Sequence, residues 1–349
     1  MVKRIAFAVP GDLATPTGGY GYDRRIIAEL RGLGIAVDVL DLGAGFPRPS
    51  RSQRQKADAM LGAIPADRPV VVDGLALGVL PQTAHRLVAP LVALVHHPLA
   101  LESGMPVDEA KAMAVSERAA LAAARRVIVT SQATARVLGT DYGVPPERIA
   151  VAPPGTDPRR PAQGSKDGMV RLIAVGAIVP RKGFDVLLAA LALIPELPWR
   201  LAIAGDRSRD PEAAARVHAD IARFGFAGRI EMCGVLAADA LATRYAQADI
   251  FVLASRYEGY GMAFAEAVAH GLPVIGTTAG AIPDTVPAGA GILVPPDDAP
   301  ALAAALRRLI ADPQARRTLA ARARAAARGL PTWPVSARLF ARAVAEAAA

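Results

Sequence analysis

The sequence predicts two α/β domains in tandem, each a parallel sheet covered by helices on both faces. Three observations predict it. Short runs rich in β-branched residues alternate with longer helical stretches along the whole chain. The strand candidates are near-continuous apolar runs without polar alternation, as strands buried on both faces are. A stretch rich in Pro, Gly and charge, 151–168, interrupts the alternation near the middle of the 349 residues. That length suits two cores better than one.

In the first half the candidate strands are 5–9, 37–41, 70–73, 91–96 and 127–130, and the candidate helices are 20–33, 107–124 and 132–138. The alternation restarts after the 151–168 linker. Strand candidates there are 172–175, 201–204, 229–232, 250–253, 273–276 and 291–294. Helix candidates are 183–194, 211–224, 238–246, 262–270 and 300–310, followed by a helical tail from about 314, broken near 329–334. The predicted domains are 1–160 joined by 334–349, and 168–333. Ligands of doubly wound sheets bind at the carboxyl ends of the strands, so the expected site is a central cleft between the two domains.

Composition narrows the function. Hydrophobic residues make up 52% and charged residues 21%, which excludes an intrinsically disordered chain. Cys233 is the single cysteine, so no internal disulfide is expected, and a reducing, cytoplasmic setting is. After the charged start Met1–Arg4, the apolar run spans only five residues, 5–9, too short for the core of a signal peptide. No apolar stretch approaches the roughly 18 residues of a membrane-spanning helix. The net charge is +8, spread evenly over both halves except for two basic runs. One holds Arg48, Arg51, Arg54 and Lys56; the other holds Arg307, Arg308, Arg316, Arg317, Arg322, Arg324 and Arg328. Both read first as solvated helix faces. They also suit peripheral contact with an anionic membrane. No aromatic residues interleave with them to stack bases, so nucleic acid is not an expected partner.

Four motifs carry candidate chemistry. The first runs from Ser255 to Val274: a strand ends, a glycine-flanked turn follows, and a helix opens near Met262. Gly259 and Gly261 let backbone amides approach a ligand, and the helix start offers N–H groups and a positive dipole end to an anion such as a diphosphate. Glu258 and Glu266 flank that anion site and suit sugar hydroxyl donors. The second places Arg181 and Lys182 just before a helix opened by Gly183, a fork and a point charge fitted to a diphosphate. The third is Thr17-Gly18-Gly19-Tyr20-Gly21 between the first strand and first helix. Its spacing is not that of a dinucleotide fingerprint, which argues against an oxidoreductase. The fourth is His96-His97 at the end of the fourth strand, placed to hydrogen-bond a sugar hydroxyl or stabilise charge. Each alone reads equally as an ordinary turn or structural histidine. No hydrolase elbow, P-loop, zinc-protease motif or cysteine cluster competes.

In their order and spacing these segments resemble the retaining glycosyltransferases of family 4 (glycosyl transferases group 1), which have the GT-B fold of two facing Rossmann-like domains. The resemblance covers nearly the whole chain. It rests on Gly18-Gly19, His96, Pro153 to Asp157, Gly176 to Gly183, Ala204-Gly205-Asp206, the Glu-x7-Glu pair Glu258 and Glu266, Gly271 to Ile275, and Gly291 to Asp297. Trp333 and the segment after it match the family's last helix, which returns to the N-terminal domain. One departure is Ala279-Gly280-Ala281, where a Gly-Gly pair is common, and Gly280 is therefore not assigned to the site. Another is the doubled histidine, which leaves open whether His96 or His97 faces the reacting carbon.

The resemblance implies roles. Arg181 and Lys182 neutralise the donor diphosphate, and Glu266 accepts from the ribose hydroxyls. Glu258 with Gly259, Tyr260, Gly261 and Met262 holds the transferred sugar. Gly19, with Gly18 beside it among the donor-binding residues, lets the N-terminal domain close on the phosphates, and His96 contacts the sugar near the reacting carbon. The implied reaction is hexose transfer, with retention, from a UDP- or GDP-linked nucleotide-sugar donor to a glycan, lipid-linked or small-molecule acceptor. The setting would be polysaccharide biosynthesis in the cytoplasm or at the cytoplasmic face of the membrane. No cofactor beyond the donor is required and no metal is expected, in keeping with the absence of an Asp-x-Asp motif. The segments 43–56 and 99–107 are expected to form acceptor loops. Two rivals remain on the same fold: a sugar-nucleotide epimerase, which needs no acceptor, and a non-catalytic nucleotide-sugar-binding protein, which shows no turnover.

Overall fold

The computed structural model describes residues 2–102 and 104–349. Met1, and Ser103 within the expected acceptor loop 99–107, lie outside the described residues. The chain divides into two units. One runs up to Gly155 and takes in Pro331–Ala349; the other is Thr156–Leu330.

The first unit holds a six-stranded parallel sheet of β1 (Arg4–Val9), β2 (Ala36–Asp41), β3 (Val70–Asp73), β4 (Leu91–Val95), β5 (Arg126–Val129) and β6 (Ile149–Val151), in the order β2-β1-β3-β4-β5-β6. β3 and β4 are buried along their whole length, which explains why they read as unbroken apolar runs. The helix Trp333–Ala348 packs on helix Gly18–Gly32 and on β5 and β6. Its Phe340 stacks on Phe7 of β1 at 6.0 Å between ring centroids. Burying such an aromatic is worth roughly 1.5–3 kcal/mol, so one face of this last helix, carrying Trp333, Ala337, Phe340, Ala343 and Val344, belongs to the core of this unit.

The second unit holds β7 (Val170–Val175), β8 (Trp199–Ala204), β9 (Ile230–Gly234), β10 (Ile250–Val252), β11 (Val274–Thr277) and β12 (Gly291–Val294), all parallel, in the order β12-β11-β10-β7-β8-β9. Its core includes Trp199 edge-on to Phe226 at 5.0 Å and Phe251 edge-on to Phe264 at 5.1 Å.

Both sheets reverse their strand order once: between β1 and β3 in the first, between β7 and β10 in the second. At such a point the connections leaving two neighbouring strands run to opposite faces and leave a crevice at the carboxyl ends. In each unit this selects a pair of turns as a candidate site: those after β1 and β3 in the first, and those after β7 and β10 in the second.

Elements that the sequence reading passed over have physical reasons for their low visibility. Helix Arg51–Gly62 buries only Ala57 and Leu61, so no apolar stripe announces it. Its legible signal is the capping box, in which Ser50 Oγ accepts from Gln53 N–H and Gln53 Oε1 accepts from Ser50 N–H. This helix overlaps the segment 43–56 read as a loop. The short helix Pro81–Arg86 has too few residues to show a period. β6 has three half-buried residues, and its Val151 falls within the 151–168 stretch expected to be the linker. Arg48, Arg51, Arg54 and Lys56 are solvent-facing, with Arg48 paired to Glu109 at 2.5 Å and Arg54 donating to the Val79 carbonyl at 2.8 Å.

Candidate active site

In the second unit, the turn after β7 forms a single 3-10 turn, Pro180–Lys182, and Gly183 opens the helix Phe184–Ala192. The turn after β10 carries Ser255 to Gly261 and leads into the eight-residue helix Met262–Ala269. Because β7 and β10 are neighbours, these turns meet. Lys182 Nζ donates to Glu258 Oε1 at 2.6 Å, and Arg181 Nη1 reaches Glu258 Oε2 at 3.4 Å and the Tyr257 carbonyl at 2.9 Å. Ser255 Oγ donates to Glu258 Oε1 at 2.7 Å. Glu258 is 5% exposed. Burial pushes its carboxyl up, but Lys182 and then Arg181 outweigh burial and hold it below the usual range. With one carboxylate against two cations, the cluster keeps a net positive charge beside the N–H groups that a helix start leaves outside its own ladder. That is an environment for an anion.

Arg181, Lys182 and Glu258, placed in separate motifs by the sequence, are thus one cluster. Gly259, Tyr260 and Gly261 form the turn between Glu258 and the helix, and Met262 is its first residue. The Tyr260 carbonyl accepts from Thr285 Oγ1 at 2.5 Å. Glu266 lies one turn into the helix. Its Oε2 accepts from Tyr245 at 3.1 Å, and burial raises its carboxyl above the usual range, against that hydrogen bond and the nearby charge of Arg159. The Tyr245 ring stacks on His270 at 5.1 Å.

Gly280, left unassigned by the sequence, underlies this site. Its φ is +56°, a left-handed conformation, and a Cβ there would run into the carbonyl oxygen of Glu258. The neighbouring Ala281 N–H donates to that carbonyl at 2.9 Å. The turn bearing Glu258 therefore rests on the turn after β11 (Val274–Thr277). The family pattern contained this signal as one glycine of a pair; the alanine in place of the other obscured it.

In the first unit, Gly18 and Gly19 form the first turn of helix Gly18–Gly32 rather than a loose loop. Thr17 caps it, accepting from Tyr20 N–H at 3.2 Å. A Cβ on Gly19 would stand 3.3 Å from the His96 ring, tighter than ordinary contact. Of the two histidines, His96 faces this helix. Its Nε2 lies 3.2 Å from Asp23 Oδ1 and 3.3 Å from Asp73 Oδ2. His97 Nε2 turns instead to Glu102 at 3.2 Å. Asp23 and Asp73 were not among the sequence candidates. Asp73 ends β3 at the switch point, which was a usable signal; Asp23 sits within a helix whose other buried positions are apolar or aromatic, and only folding brings it to His96.

Known proteins resemble this chain in sequence and fold. A model of "Glycosyl transferases group 1" matches residues 170–312, and one of "Glycosyltransferase Family 4" matches residues 68–160. The MMP alpha-(1->4)-mannosyltransferase of Mycolicibacterium hassiacum is 30% identical over 312 residues, covering 83% of this chain and 73% of that protein. The chain spans 64% and 56% of two further relatives, both D-inositol 3-phosphate glycosyltransferases, from Kineococcus radiotolerans and Streptomyces bingchenggensis. Among solved structures, sucrose-phosphate synthase of Thermosynechococcus elongatus superposes with a TM-score of 0.83 at 24% identity, covering 97% of this chain and 98% of that one. Anabaena HepE in complex with UDP-glucose superposes at 0.76 and 20% identity, covering 98% and 99%. At these identities the structural likeness establishes the fold, two parallel α/β sheets of the GT-B type.

Proposed function

The chain belongs to the group 1 glycosyltransferases, glycosyltransferase family 4, and we propose that it transfers a hexose, with retention, from a UDP- or GDP-linked donor to a glycan, lipid-linked or small-molecule acceptor. The observation that carries the donor half is the Arg181–Lys182–Glu258 cluster at the switch point of the second sheet. Its surplus positive charge and adjacent helix start favour a nucleotide diphosphate. HepE is known with UDP-glucose bound, which supports a uridine nucleotide as the first donor to try. The relatives named for inositol 3-phosphate transfer support a small polar acceptor as a starting point.

In this reading the donor C1–O bond to the diphosphate breaks while the acceptor hydroxyl oxygen bonds C1 on the same face. The acceptor proton passes to the departing phosphate oxygen, and no protein nucleophile takes part. Arg181 and Lys182 stabilise charge as it builds on the leaving group; loss of one such contact typically costs about 10²–10³ in rate. Glu258 and the turn Gly259 to Met262 hold the sugar, and Glu266, oriented by Tyr245, accepts from the ribose. His96, with Gly18 and Gly19 beside it, is the contribution of the first unit. No metal is required, the two side-chain cations standing in its place.

The test is a thermal-shift screen of UDP, GDP, ADP and their sugar conjugates, followed by product analysis with acceptors. One nucleotide should raise the melting temperature selectively, and the rise should vanish in Glu266→Ala and in the Arg181→Ala/Lys182→Ala double variant. A rise that survives both variants would place the nucleotide elsewhere and remove the reading. Conversion of donor without acceptor would favour an epimerase, and binding without turnover a non-catalytic binder.

A further inference from the structure

We propose that Asp23 and Asp73 clamp His96 as a fixed cation in the first unit, leaving its Nδ1–H as a donor to an oxygen atom of the bound substrate. The substrate half of this inference rests on the glycosyltransferase reading; the charge state of His96 does not.

Three side chains from three elements converge here: Asp23 from helix Gly18–Gly32, Asp73 from the end of β3, and His96 from just beyond β4. Both carboxylates meet the same nitrogen, Nε2, at 3.2 and 3.3 Å. The Asp23 and Asp73 side chains are 0% and 4% exposed, and that of His96 is 19% exposed. Two carboxylates packed together out of water repel each other and lose hydration, which folding tolerates only with a compensating charge or proton. Asp23 sharpens the requirement. Its Oδ2 is buried and makes no hydrogen bond, so its charge must be balanced by the histidine ring or removed by a proton shared with Asp73.

The ring is packed on several sides. Tyr22 stands edge-on at 5.4 Å, and Gly19 leaves no room for a Cβ without displacing the ring. Thr130 Oγ1 donates to the His96 carbonyl at 3.2 Å. Trp333 of the last helix packs on Tyr22 and carries the Arg25 guanidinium on its own face. The neighbouring His97 pairs with Glu102. Within this frame Nε2 points to the carboxylates, and Nδ1 is the nitrogen left to meet a ligand.

Electrostatics agree in direction. Burial works against a charged imidazole, but Asp23 and Asp73 outweigh it and lift His96 to about 10. Asp23 is pushed up by burial, pulled down by His96 and pushed up again by Asp73, to about 6. An ordinary histidine near 6.5 is mostly neutral at pH 7.5; this one stays charged. Asp23 and Asp73 are positioning residues, acting through His96.

The three ligand atoms also lie close enough to hold one metal ion, and the experiment separates the two. Ring-nitrogen NMR of the full chain, labelled at histidine, follows the titration without substrate. The His96 signal is identified among the five histidines by its loss in His96→Gln. Both His96 ring nitrogens should remain protonated from pH 6 to about 9. Asp23→Asn and Asp73→Asn should each lower the midpoint by about 1–3 units, while the other four histidines hold their shifts and report an intact fold. A wild-type midpoint at or below 7 overturns the proposal, as does a midpoint unmoved in either folded variant, or one equivalent of Zn2+ displacing the Nε2 proton. With the donor identified, Asp23→Asn should lower kcat more than it raises KM, and its alkaline limb of activity should move down in pH with the NMR midpoint. A merely structural aspartate would move neither limb nor midpoint.

Discussion

Glu258 shows how one side chain ties stability to chemistry. It is buried against two cations and a hydroxyl, so replacing it with the neutral isostere Gln removes the carboxylate charge that Arg181 and Lys182 share. We expect Glu258→Gln to cost about 1–3 kcal/mol at pH 7. Because the folded-state carboxyl lies below its ordinary value of 4.5, its stabilisation is present above that value and fades as pH falls through the folded one. Unfolding curves of wild type and variant should therefore differ at pH 7 and converge in acid. The same variant should bind a bare nucleoside diphosphate about tenfold more tightly, since the site gains a net positive charge, while losing sugar transfer. Isothermal titration and a product assay check the two arms. Gly280→Ala belongs to the same scale. A methyl group there strikes the Glu258 carbonyl at a left-handed backbone position, so transfer should fall even though no catalytic atom has been removed. At this scale the sequence was legible where residue type announces chemistry, as at Arg181, Lys182, Glu258 and Glu266. It was illegible where a residue acts by packing under another, as Gly280 does.

At the scale of elements, the site is made by pairs of turns that the sheets bring together. Helix Ala238–Gln247 supplies Tyr245 to helix Met262–Ala269, and the phenol donates to Glu266. Tyr245→Phe keeps the ring stacked on His270 and removes one donor, so nucleotide affinity should fall by about 1 kcal/mol, several-fold in Kd. An unchanged Kd would detach Tyr245 from the site. Strands were easy to read because burial on both faces leaves an unbroken apolar run. Amphipathic helices such as Pro211–Arg223, with Ala213, Ala214, Val217 and Ile221 buried, were easy for the matching reason. Helix Arg51–Gly62 was hard because its exposed face dominates, and only its capping box marked it.

At the scale of the whole molecule, the first unit is discontinuous in sequence. Phe340, Ala343 and Val344 of the last helix are at most 2% exposed, and Ser336 Oγ donates to the Pro153 carbonyl. Ending the chain at residue 330 should therefore destabilise the first unit by several kcal/mol, the scale of losing more than one large buried side chain, and leave the core around Trp199 and Phe251 intact. Calorimetry should show one transition shifted down and the other retained. A single transition shifted down would mean that the units unfold as one.

By itself the sequence determined the class of fold, its two-part organisation and most of the second unit's candidate site. Those depend on local patterns: apolar runs, helix starts, and charged residues next to glycines. Only the tertiary structure decided which strands are neighbours. That placed Arg181 and Lys182 on Glu258, and seated Gly280 beneath it. It also separated His96 from His97 and joined His96 to Asp23 and Asp73 across 73 and 23 positions of sequence. The physical reason is the parallel sheet. Its hydrogen-bonded order need not follow chain order, so the residues meeting at a switch point are set by strand pairing and by no pattern along the chain.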